Sequence, residues 1–313
     1  MNRGAGIPLA VVHPIQPPGL SDLLAELDGI AVDAPGDDDA VVDALETGAE
    51  ILVTYRWEDR YLTASLRWVQ AISAGLDQFP LEAFQEQGVR LTSARGVHAI
   101  AVAEHALALL LIMARRIGEA MRDVSDRRWH PYRPAYELAG RTLGILGLGT
   151  IGEEIAVRAA GLGMRVVGSK RRPDRYDGVA EWVVGPDGTL EVCRAADAVV
   201  VVLPQAEDTA GLIGADELEA LRGGWLVNVG RGSVVDEQAL IAALRDGTLL
   251  GAGLDVFAAE PLPSDSPLWE MPNVVITPHS AWSSDRLAVR LADLFAENLI
   301  AYRDEGEWRN LVE

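Results

Sequence analysis

The sequence contains a single cysteine, Cys193, among 313 residues. A disulfide framework within the chain is therefore excluded, and a reducing, cytoplasmic location is expected. Long apolar runs are also missing, because the longest, at 107–113, has Glu104 before it and Arg115 after it. The apolar stretch near the amino terminus is too short for a secretory signal peptide. We therefore expect no membrane partner.

Positive charge is scarce. Lys and Arg number 27 against 47 Asp and Glu, which gives a formal net charge of −20. Such a surface repels nucleic acid, so no nucleic-acid partner is expected. The five histidines and one cysteine form no cluster with metal-ligand spacing, so no metal site is expected either. The length is typical of two domains.

The first hundred residues have the pattern of a small α/β unit. Short apolar strands are predicted at 51–55, 66–73 and 89–94, and an acidic loop at 33–40. A long apolar helix is then predicted at 101–121, long enough to link two domains.

From Gly140 onward, apolar strands alternate with helices. Near-continuous apolar strands in such an alternation favour a parallel sheet covered on both faces. The last helix, 285–303, is expected to pack on the first unit. The predicted strands begin after Gly140 and continue at 164–169, 197–204, 224–230, 251–257 and 273–278, with helices at 215–221 and 236–247.

The segment GLGTIG places Gly147, Gly149 and Gly152 in the G-x-G-x-x-G spacing. It follows an apolar strand and opens a helix, which is the context that a dinucleotide-binding turn requires. Glycines let the backbone turn tightly and approach a pyrophosphate, which the helix N-terminus then binds. Thr150 and Ile151 in the first turn are expected cofactor contacts. The competing interpretation is a tight strand–helix turn without a ligand.

An acidic residue is missing where this fold usually carries one. NAD-binding folds place Asp or Glu about 20 residues after the first glycine, on the ribose 2′-hydroxyl. Here the strand ends in Ser169, Lys170, Arg171 and Arg172. A serine with three cations suits a 2′-phosphate, since charge-assisted hydrogen bonds and bidentate arginine contacts bind it. We expect NADP(H) to be preferred, with NAD(H) as the alternative cofactor and a solvated basic turn as the competing interpretation.

Three later segments each follow a predicted strand: NVGRGSVVDE at 228–237, LDVFAAEPLP at 254–263 and TPHSAW at 277–282. Ligands of open α/β sheets bind at these carboxyl ends. Together with the glycine turn, VHAIAVAEH and SPLWEMPNVVITPH, the segments resemble the D-isomer-specific 2-hydroxyacid dehydrogenase family from about Ser73 onward.

The resemblance implies a doubly wound parallel-sheet (Rossmann) nucleotide-binding domain and a smaller flavodoxin-like α/β substrate domain. The expected substrate domain is discontinuous and comprises 1–98 and 284–313. The dinucleotide-binding domain then spans 99–283 and includes the linking helix.

The resemblance also implies that Arg231, Glu260 and His279 are catalytic. The chemistry agrees: hydride transfer to a ketone leaves an alkoxide, and a histidine can protonate it. A carboxylate on the other ring nitrogen orients the imidazole and favours its charged form. A guanidinium polarises the carbonyl and grips the neighbouring carboxylate. Arg231 and His279 are thus expected to bind the substrate as well.

Further contacts follow from the same resemblance. The loop SAGLD is expected to bind the substrate carboxylate through the backbone of Ala74 and Gly75. Asp255 either contacts the nicotinamide amide or orders the end of its strand. Other expected cofactor contacts at strand ends are Leu203, Pro204, Val229 and Gly230.

Several positions are left open. Tyr55, Arg56 and Trp57 either shape specificity or serve packing. His98 stands where many family members carry asparagine, and Trp282 either lines the pocket or reaches a partner subunit.

The sequence thus predicts an NADP-dependent, D-specific oxidoreductase acting on a small 2-keto or 2-hydroxy acid such as glyoxylate or hydroxypyruvate, and, from the family, a homodimer. One alternative is a family member acting on phosphite or on a bulkier 2-ketoacid. The other is a non-enzymatic NAD(P)-sensing protein of the corepressor type.

Overall fold

The structure is a computed structural model that describes residues 7–131 and 134–312. The chain divides into two compact units, Met1–His98 with Ser284–Glu313, and Ala99–Ser283. The strands are β1 Leu9–Val12, β2 Ala31–Asp33, β3 Ile51–Thr54, β4 Trp68–Ala71, β5 Arg90–Thr92, β6 Thr142–Leu146, β7 Arg165–Ser169, β8 Trp182–Val184, β9 Ala198–Val201, β10 Trp225–Asn228, β11 Gly251–Leu254 and β12 Val274–Ile276. The helices are α1 Leu20–Ala25, α2 Asp38–Glu46, α3 Leu81–Gln87, α4 Ala99–Ala114, α5 Ile117–Ser125, α6 Thr150–Gly161, α7 Thr189–Ala195, α8 Ala215–Ala220, α9 Glu237–Arg245 and α10 Leu287–Asp304.

The first unit is built on a five-stranded sheet in the order β2-β1-β3-β4-β5, in which every pair is parallel. This is the flavodoxin-like strand order. The carboxy-terminal helix α10 packs on it, as expected, with Phe295 stacked on Trp68 at 4.8 Å between ring centroids. Both ends of the chain therefore contribute to one hydrophobic core.

The predicted acidic loop at 33–40 is partly wrong, because α2 begins inside it at Asp38. The Asp37 side chain accepts a hydrogen bond from the Ala40 amide and caps the helix. Asp38 and Asp39 then occupy the first turn, where negative charge favours the helix dipole. The run of acids is thus a helix start rather than a solvated loop.

The single helix predicted at 101–121 is also wrong. The structure has two helices, α4 and α5, separated by Arg116 in the left-handed conformation with φ of 56°. A left-handed residue ends a helix because it turns the chain out of the helical path. α4 is almost entirely apolar, whereas no residue of α5 is buried.

The second unit contains a seven-stranded sheet in the order β12-β11-β10-β9-β6-β7-β8, again with every pair parallel. Chain order reverses between β6 and β9, which is the topological switch point of a doubly wound sheet. The predicted fold class is confirmed. The short edge strands β2 and β8 were not predicted, because each is only three residues long.

The helices cover both faces of this sheet. α4 and α6 contribute to one hydrophobic cluster, and α7, α8 and α9 contribute to the other. None of the described helices is long and apolar enough to cross a bilayer. Cys193 lies on the buried side of α7, and burial raises the pKa of its thiol to about 12.

Candidate active site

The predicted site residues of the second unit all follow a strand at the carboxyl edge of its sheet. His279 follows β12, Asp255 and Glu260 follow β11, and Arg231 follows β10. On the other side of the switch point, the glycine turn follows β6 and the Ser169–Arg172 run ends β7. The predicted catalytic residues therefore lie on one side of the switch point, and the glycine turn with the Ser169–Arg172 run lies on the other.

His279 and Glu260 are joined directly. The Nδ1 atom of His279 lies 2.7 Å from Oε2 of Glu260, and Oε1 of Glu260 accepts a hydrogen bond from the Phe257 amide at 3.0 Å. Both carboxylate oxygens are thus used, and the carboxylate cannot rotate freely. Within the described residues, Nε2 of His279 has no hydrogen-bond partner. The imidazole is oriented from one side and open on the other.

The backbone of His279 is left-handed, with φ of 50°. Its amide donates to the carbonyls of Asp255 and Thr277, at 2.9 and 3.0 Å. Its carbonyl accepts from Nε1 of the Trp282 indole at 2.8 Å. Non-glycine residues adopt this conformation mainly where their surroundings enforce it. The role of Trp282 that the sequence left open therefore includes support of the histidine.

Asp255 is 1% exposed and accepts hydrogen bonds from the loop that carries His279. Its Oδ1 accepts from Thr277 Oγ1 at 2.6 Å and from the Ser280 amide at 2.9 Å, and its Oδ2 from the Ala281 amide at 3.0 Å. Of the two alternatives for this residue, the structure supports the ordering role. A contact with the nicotinamide stays a prediction.

Arg231 is held by Asn228, which the sequence analysis did not single out. The buried Asn228 amide donates to the Arg231 carbonyl at 3.0 Å and accepts from the Gly230 amide at 3.1 Å. Nη1 of Arg231 donates to the Gly230 carbonyl at 2.9 Å. The guanidinium keeps further N–H groups for a ligand, because it carries five.

The glycine turn has the geometry of a phosphate cradle. Gly147 has φ of 105°, and a Cβ at Gly152 would lie 2.3 Å from the Gly147 carbonyl oxygen. A Cβ at Gly149, by contrast, would meet no atom within 4 Å. No side chain caps α6, so the first amides of the helix, at Thr150 and Ile151, remain available. A pyrophosphate fits the open space at Gly149, where these amides can donate hydrogen bonds to it.

The cations after β7 differ from one another. Nζ of Lys170 donates to the Leu148 carbonyl at 2.6 Å and lies 5.7 Å from the ring centroid of Tyr176. Lys170 is therefore tied to the glycine turn. Arg171 and Arg172 are exposed, and within the described part of the chain their guanidinium groups have no hydrogen-bond or ion-pair partner. The buried Ser169 accepts the amides of Gly147 and Leu148 through its carbonyl.

The remaining predicted cofactor positions lie where β9 and β10 end. A Cβ at Gly230 would lie 2.7 Å from the Leu203 carbonyl oxygen, so only glycine fits between these strand ends. Val229 is buried, and Pro204 is exposed. These positions border the switch point, and their contact with a cofactor stays a prediction.

In the first unit, the predicted substrate loop follows β4. Ser73 Oγ donates to the Gly75 carbonyl at 2.7 Å, and Nε2 of Gln78 donates to Ser73 Oγ at 3.1 Å. Among the described residues, the amides of Ala74 and Gly75 donate to no acceptor. Unpaired amides of this kind can bind a carboxylate.

Arg56 and Trp57 have structural partners. The Arg56 guanidinium, with the hydroxyl of Tyr61 and the ring of His13, holds the pKa of the Asp38 carboxyl well below its usual range. Burial, and the hydrogen bond to Asp38, raise the pKa of Tyr61 to about 12. Trp57 packs edge-on against aromatic rings of this unit. Both residues therefore have partners within the first unit, and a role in specificity stays a prediction.

Tyr55 and His98 are the other open positions of this unit. Tyr55 is 54% exposed, and its carbonyl accepts a hydrogen bond from Gln78. The ring of His98 contacts the Ile72 carbonyl through Nε2 at 3.2 Å. This contact ties the His98 ring to the residue that follows β4. A role for Tyr55 in specificity stays a prediction.

The sequence analysis missed three supporting side chains, namely Asn228, Thr277 and His105. Nε2 of His105, on α4, lies 2.9 Å from Thr277 Oγ1. All three belong to segments that the sequence analysis quoted, NVGRGSVVDE, TPHSAW and VHAIAVAEH, but their hydrogen bonds were not considered. His105 is 172 positions from Thr277, so sequence proximity gives no signal for that contact.

A family model described as the NAD binding domain of D-isomer specific 2-hydroxyacid dehydrogenases matches residues 107–281. The chain belongs to this family. Membership confirms the expected enzyme class, an NAD(P)-dependent 2-hydroxyacid dehydrogenase.

Similar proteins agree with this assignment. A glyoxylate reductase of Korarchaeum cryptofilum is 40% identical over 255 residues, which are 79% of this chain and 76% of that protein. A glyoxylate/hydroxypyruvate reductase B of Yersinia enterocolitica is 38% identical over 243 residues, 75% of this chain and 74% of the relative. Both relatives are matched over most of their length.

Solved structures of the family also match over nearly the whole chain. An NADPH-dependent glyoxylate/hydroxypyruvate reductase of Sinorhizobium meliloti, crystallised with NADP and malonate, has a TM-score of 0.80 at 31% identity and covers 98% of this chain and 97% of its own. A D-isomer specific 2-hydroxyacid dehydrogenase family protein of Aeromonas salmonicida has a TM-score of 0.86 at 31% identity, with coverage of 98% and 99%.

Proposed function

We propose that the protein is an NADPH-dependent reductase of small 2-keto acids, which converts glyoxylate into glycolate or hydroxypyruvate into D-glycerate. One observation carries the proposal: the 2.7 Å contact between His279 Nδ1 and Glu260 Oε2, with His279 Nε2 left open. The names of the reductases from Korarchaeum and Yersinia support the substrate class. The reductive direction is proposed because cells usually keep NADPH in its reduced form.

His279 is the proposed general acid. When bound, the reduced nicotinamide supplies the hydride to the ketone carbon. The carbonyl oxygen gains negative charge as the hydride arrives, and the His279 Nε2–H group donates its proton there. Glu260 holds the ring through Nδ1, which keeps Nε2 aimed at the substrate and stabilises the imidazolium before the proton leaves.

Arg231 is the proposed electrophilic group. Its guanidinium can donate to the carbonyl oxygen and to the neighbouring carboxylate of the 2-keto acid at once. Asn228 fixes the backbone of Arg231 on both sides, so the guanidinium needs little reorganisation when charge develops. The amides of Ala74 and Gly75 are a proposed second contact for a substrate carboxylate.

NADPH is the proposed cofactor, since Arg171 and Arg172 have no partner within the described residues and can pair with a 2′-phosphate. The Sinorhizobium reductase, which is named as NADPH-dependent, supports this choice. Lys170 has a different part, because its ammonium already binds the Leu148 carbonyl. We propose that Arg171 and Arg172 bind the 2′-phosphate and that Lys170 stabilises the glycine turn.

The test is a set of initial rates with glyoxylate, hydroxypyruvate and pyruvate, each with NADPH and with NADH. The Arg171→Ala/Arg172→Ala variant is compared with Arg175→Ala, which removes an exposed arginine from the same segment. We expect NADPH preference to fall at least tenfold in the double variant and to persist in Arg175→Ala. Chiral chromatography of the glycerate and lactate formed from hydroxypyruvate and pyruvate checks their D configuration.

Equal use of both cofactors by the wild type would remove the 2′-phosphate assignment and leave the reductase. No turnover of any of the three acids, with NADPH still bound, would contradict the substrate proposal. Phosphite and bulkier 2-ketoacids would then be assayed, followed by the NAD(P)-sensing role.

We also propose that the protein is a homodimer. Helix α5 has no buried residue, and Ile117, Met121 and Val124 lie one above the other on its exposed side. Trp129, just beyond the helix, is 86% exposed. Light scattering should give twice the mass of the chain, and Met121→Glu/Val124→Glu should give the monomer. Ile300→Glu on the exposed side of α10 is the control that should stay dimeric.

A reducing, cytoplasmic location is proposed on the single buried cysteine, which forms no disulfide within the chain. Recovery of the protein from a membrane or extracytoplasmic fraction would contradict it.

A further inference from the structure

His105 is a polar side chain in an apolar helix. In α4, sixteen residues long, only Glu104 and His105 are polar, and Glu104 is exposed. The His105 side chain is 24% exposed and points its Nε2 atom at the Thr277 hydroxyl, 2.9 Å away. A histidine that served only packing would not need a hydrogen-bond partner. The contact with Thr277 therefore indicates a further role for His105.

The directions of the hydrogen bonds are fixed by the atoms involved. Thr277 Oγ1 donates its single proton to Asp255 Oδ1 at 2.6 Å. The hydroxyl oxygen must then accept from His105, so Nε2 of His105 carries a proton. The same nitrogen lies 3.5 Å from Asp255 Oδ1. A chain of donors therefore runs from His105 through Thr277 to the buried carboxylate.

This chain ends on the backbone around His279. The Asp255 carboxylate accepts the amides of Ser280 and Ala281, and the Asp255 carbonyl accepts the amide of His279 itself. The left-handed turn at His279 is thus bonded on both sides to one aspartate. A shift of that carboxylate moves the peptide units on which the imidazole is mounted.

We propose that His105 is a positioning residue for His279, acting through Thr277 and Asp255. It does not touch the reacting atoms. It holds the carboxylate in the orientation that keeps the loop in its left-handed form, and misplacing a reacting group by about 1 Å costs up to ~100-fold in rate. The proposal rests on the proposed function, since it assigns His279 as the general acid.

Three single variants and one double variant test it. His105→Phe keeps a ring and removes the donor. His105→Gln places an amide N–H near the position of Nε2 and is the conservative variant. Thr277→Val breaks the middle of the chain, and His105→Phe/Thr277→Val completes a double-mutant cycle. The readouts are kcat, KM, NADPH affinity and the hydrogen-exchange rates of the Ser280 and Ala281 amides.

We expect His105→Phe to lower kcat about tenfold with NADPH affinity unchanged, and to speed exchange at Ser280 and Ala281. His105→Gln should recover most of both effects. The double variant should be no worse than Thr277→Val, because both substitutions break one chain. A kcat within twofold of wild type, losses that multiply, or unchanged exchange would overturn the proposal.

The two failures are distinguishable. If the wild type reduces no 2-keto acid, the proposed function fails, and the exchange rates alone then decide whether His105 holds the loop. If the wild type turns over and His105→Phe matches it in kcat, only the positioning role fails. Should His105→Phe fold poorly, Thr277→Val against Thr277→Ser gives the same comparison, since serine keeps the hydroxyl.

Discussion

His279 is held in a backbone conformation that its side chain disfavours. A left-handed non-glycine residue costs about 1–2 kcal/mol, and each hydrogen bond contributes about 0.5–1.5 kcal/mol. The two acceptors of its amide and the donor to its carbonyl are therefore enough to offset the cost. The conformation is maintained by neighbours, and it is sensitive to the loss of any one of them.

Trp282 offers the cleanest test at this scale. Trp282→Phe keeps an aromatic ring and removes the N–H group that donates to the His279 carbonyl, together with part of the indole. We expect kcat to fall about three- to tenfold with little change in NADPH affinity, because one hydrogen bond of ordinary strength is lost. Steady-state kinetics at saturating cofactor measure it.

The matched control is Trp269→Phe. Trp269 is 53% exposed, close to the 47% of Trp282, and its Nε1 also donates to a backbone carbonyl, that of Pro263, at 2.9 Å. It supports no predicted catalytic residue, so kcat should be unchanged. Equal losses in both variants would mean that the indole contributes only to general stability.

At the scale of elements, two of the three glycines in the turn between β6 and α6 are glycine for different reasons. Gly152 is required by the protein, since a Cβ there would lie 2.3 Å from the Gly147 carbonyl. Gly149 has no such constraint, and its φ of −94° suits other residues. No neighbouring atom therefore requires a glycine at position 149. We infer that the open space in front of it is kept for a ligand.

Gly149→Ala should accordingly fold as the wild type does and bind NADPH at least tenfold more weakly, because the added methyl group occupies the path of the pyrophosphate. Gly152→Ala should lower the melting temperature by several degrees, since the turn must move. Thermal denaturation and cofactor fluorescence titrations separate the two. Wild-type NADPH affinity in Gly149→Ala would show that the turn is not the cradle.

Elements also show what the sequence could and could not predict. The buried strands β3, β6 and β9 were found because their apolar runs are bounded by turns. The break at Arg116 was missed because the apolar pattern continues past it. The edge strand β8 was missed because its apolar run is only three residues long. His279, Glu260 and Arg231 were predicted from motifs, whereas the contact of His105 with Thr277 required the three-dimensional fold.

At the scale of the whole molecule, charge is distributed unevenly. The chain has a formal net charge of −20, yet Lys170, Arg171 and Arg172 stand together at the end of β7. A local cationic cluster in an acidic protein concentrates the attraction for an anionic ligand at one place.

Lys170 is the only lysine in the sequence. Besides the terminal amine, it is the one group that an amine-acylating dye can modify, so labelling attaches a single reporter beside the glycine turn. We expect one fast-reacting terminal amine and one slower site, Lys170, whose ammonium is engaged with the Leu148 carbonyl. Peptide mapping by mass spectrometry identifies each. Saturating NADPH should slow the labelling of Lys170. A labelling rate that does not change with NADPH would contradict binding of the cofactor beside Lys170. The protein thus carries its own attachment point for a fluorescent cofactor sensor, without engineered cysteines.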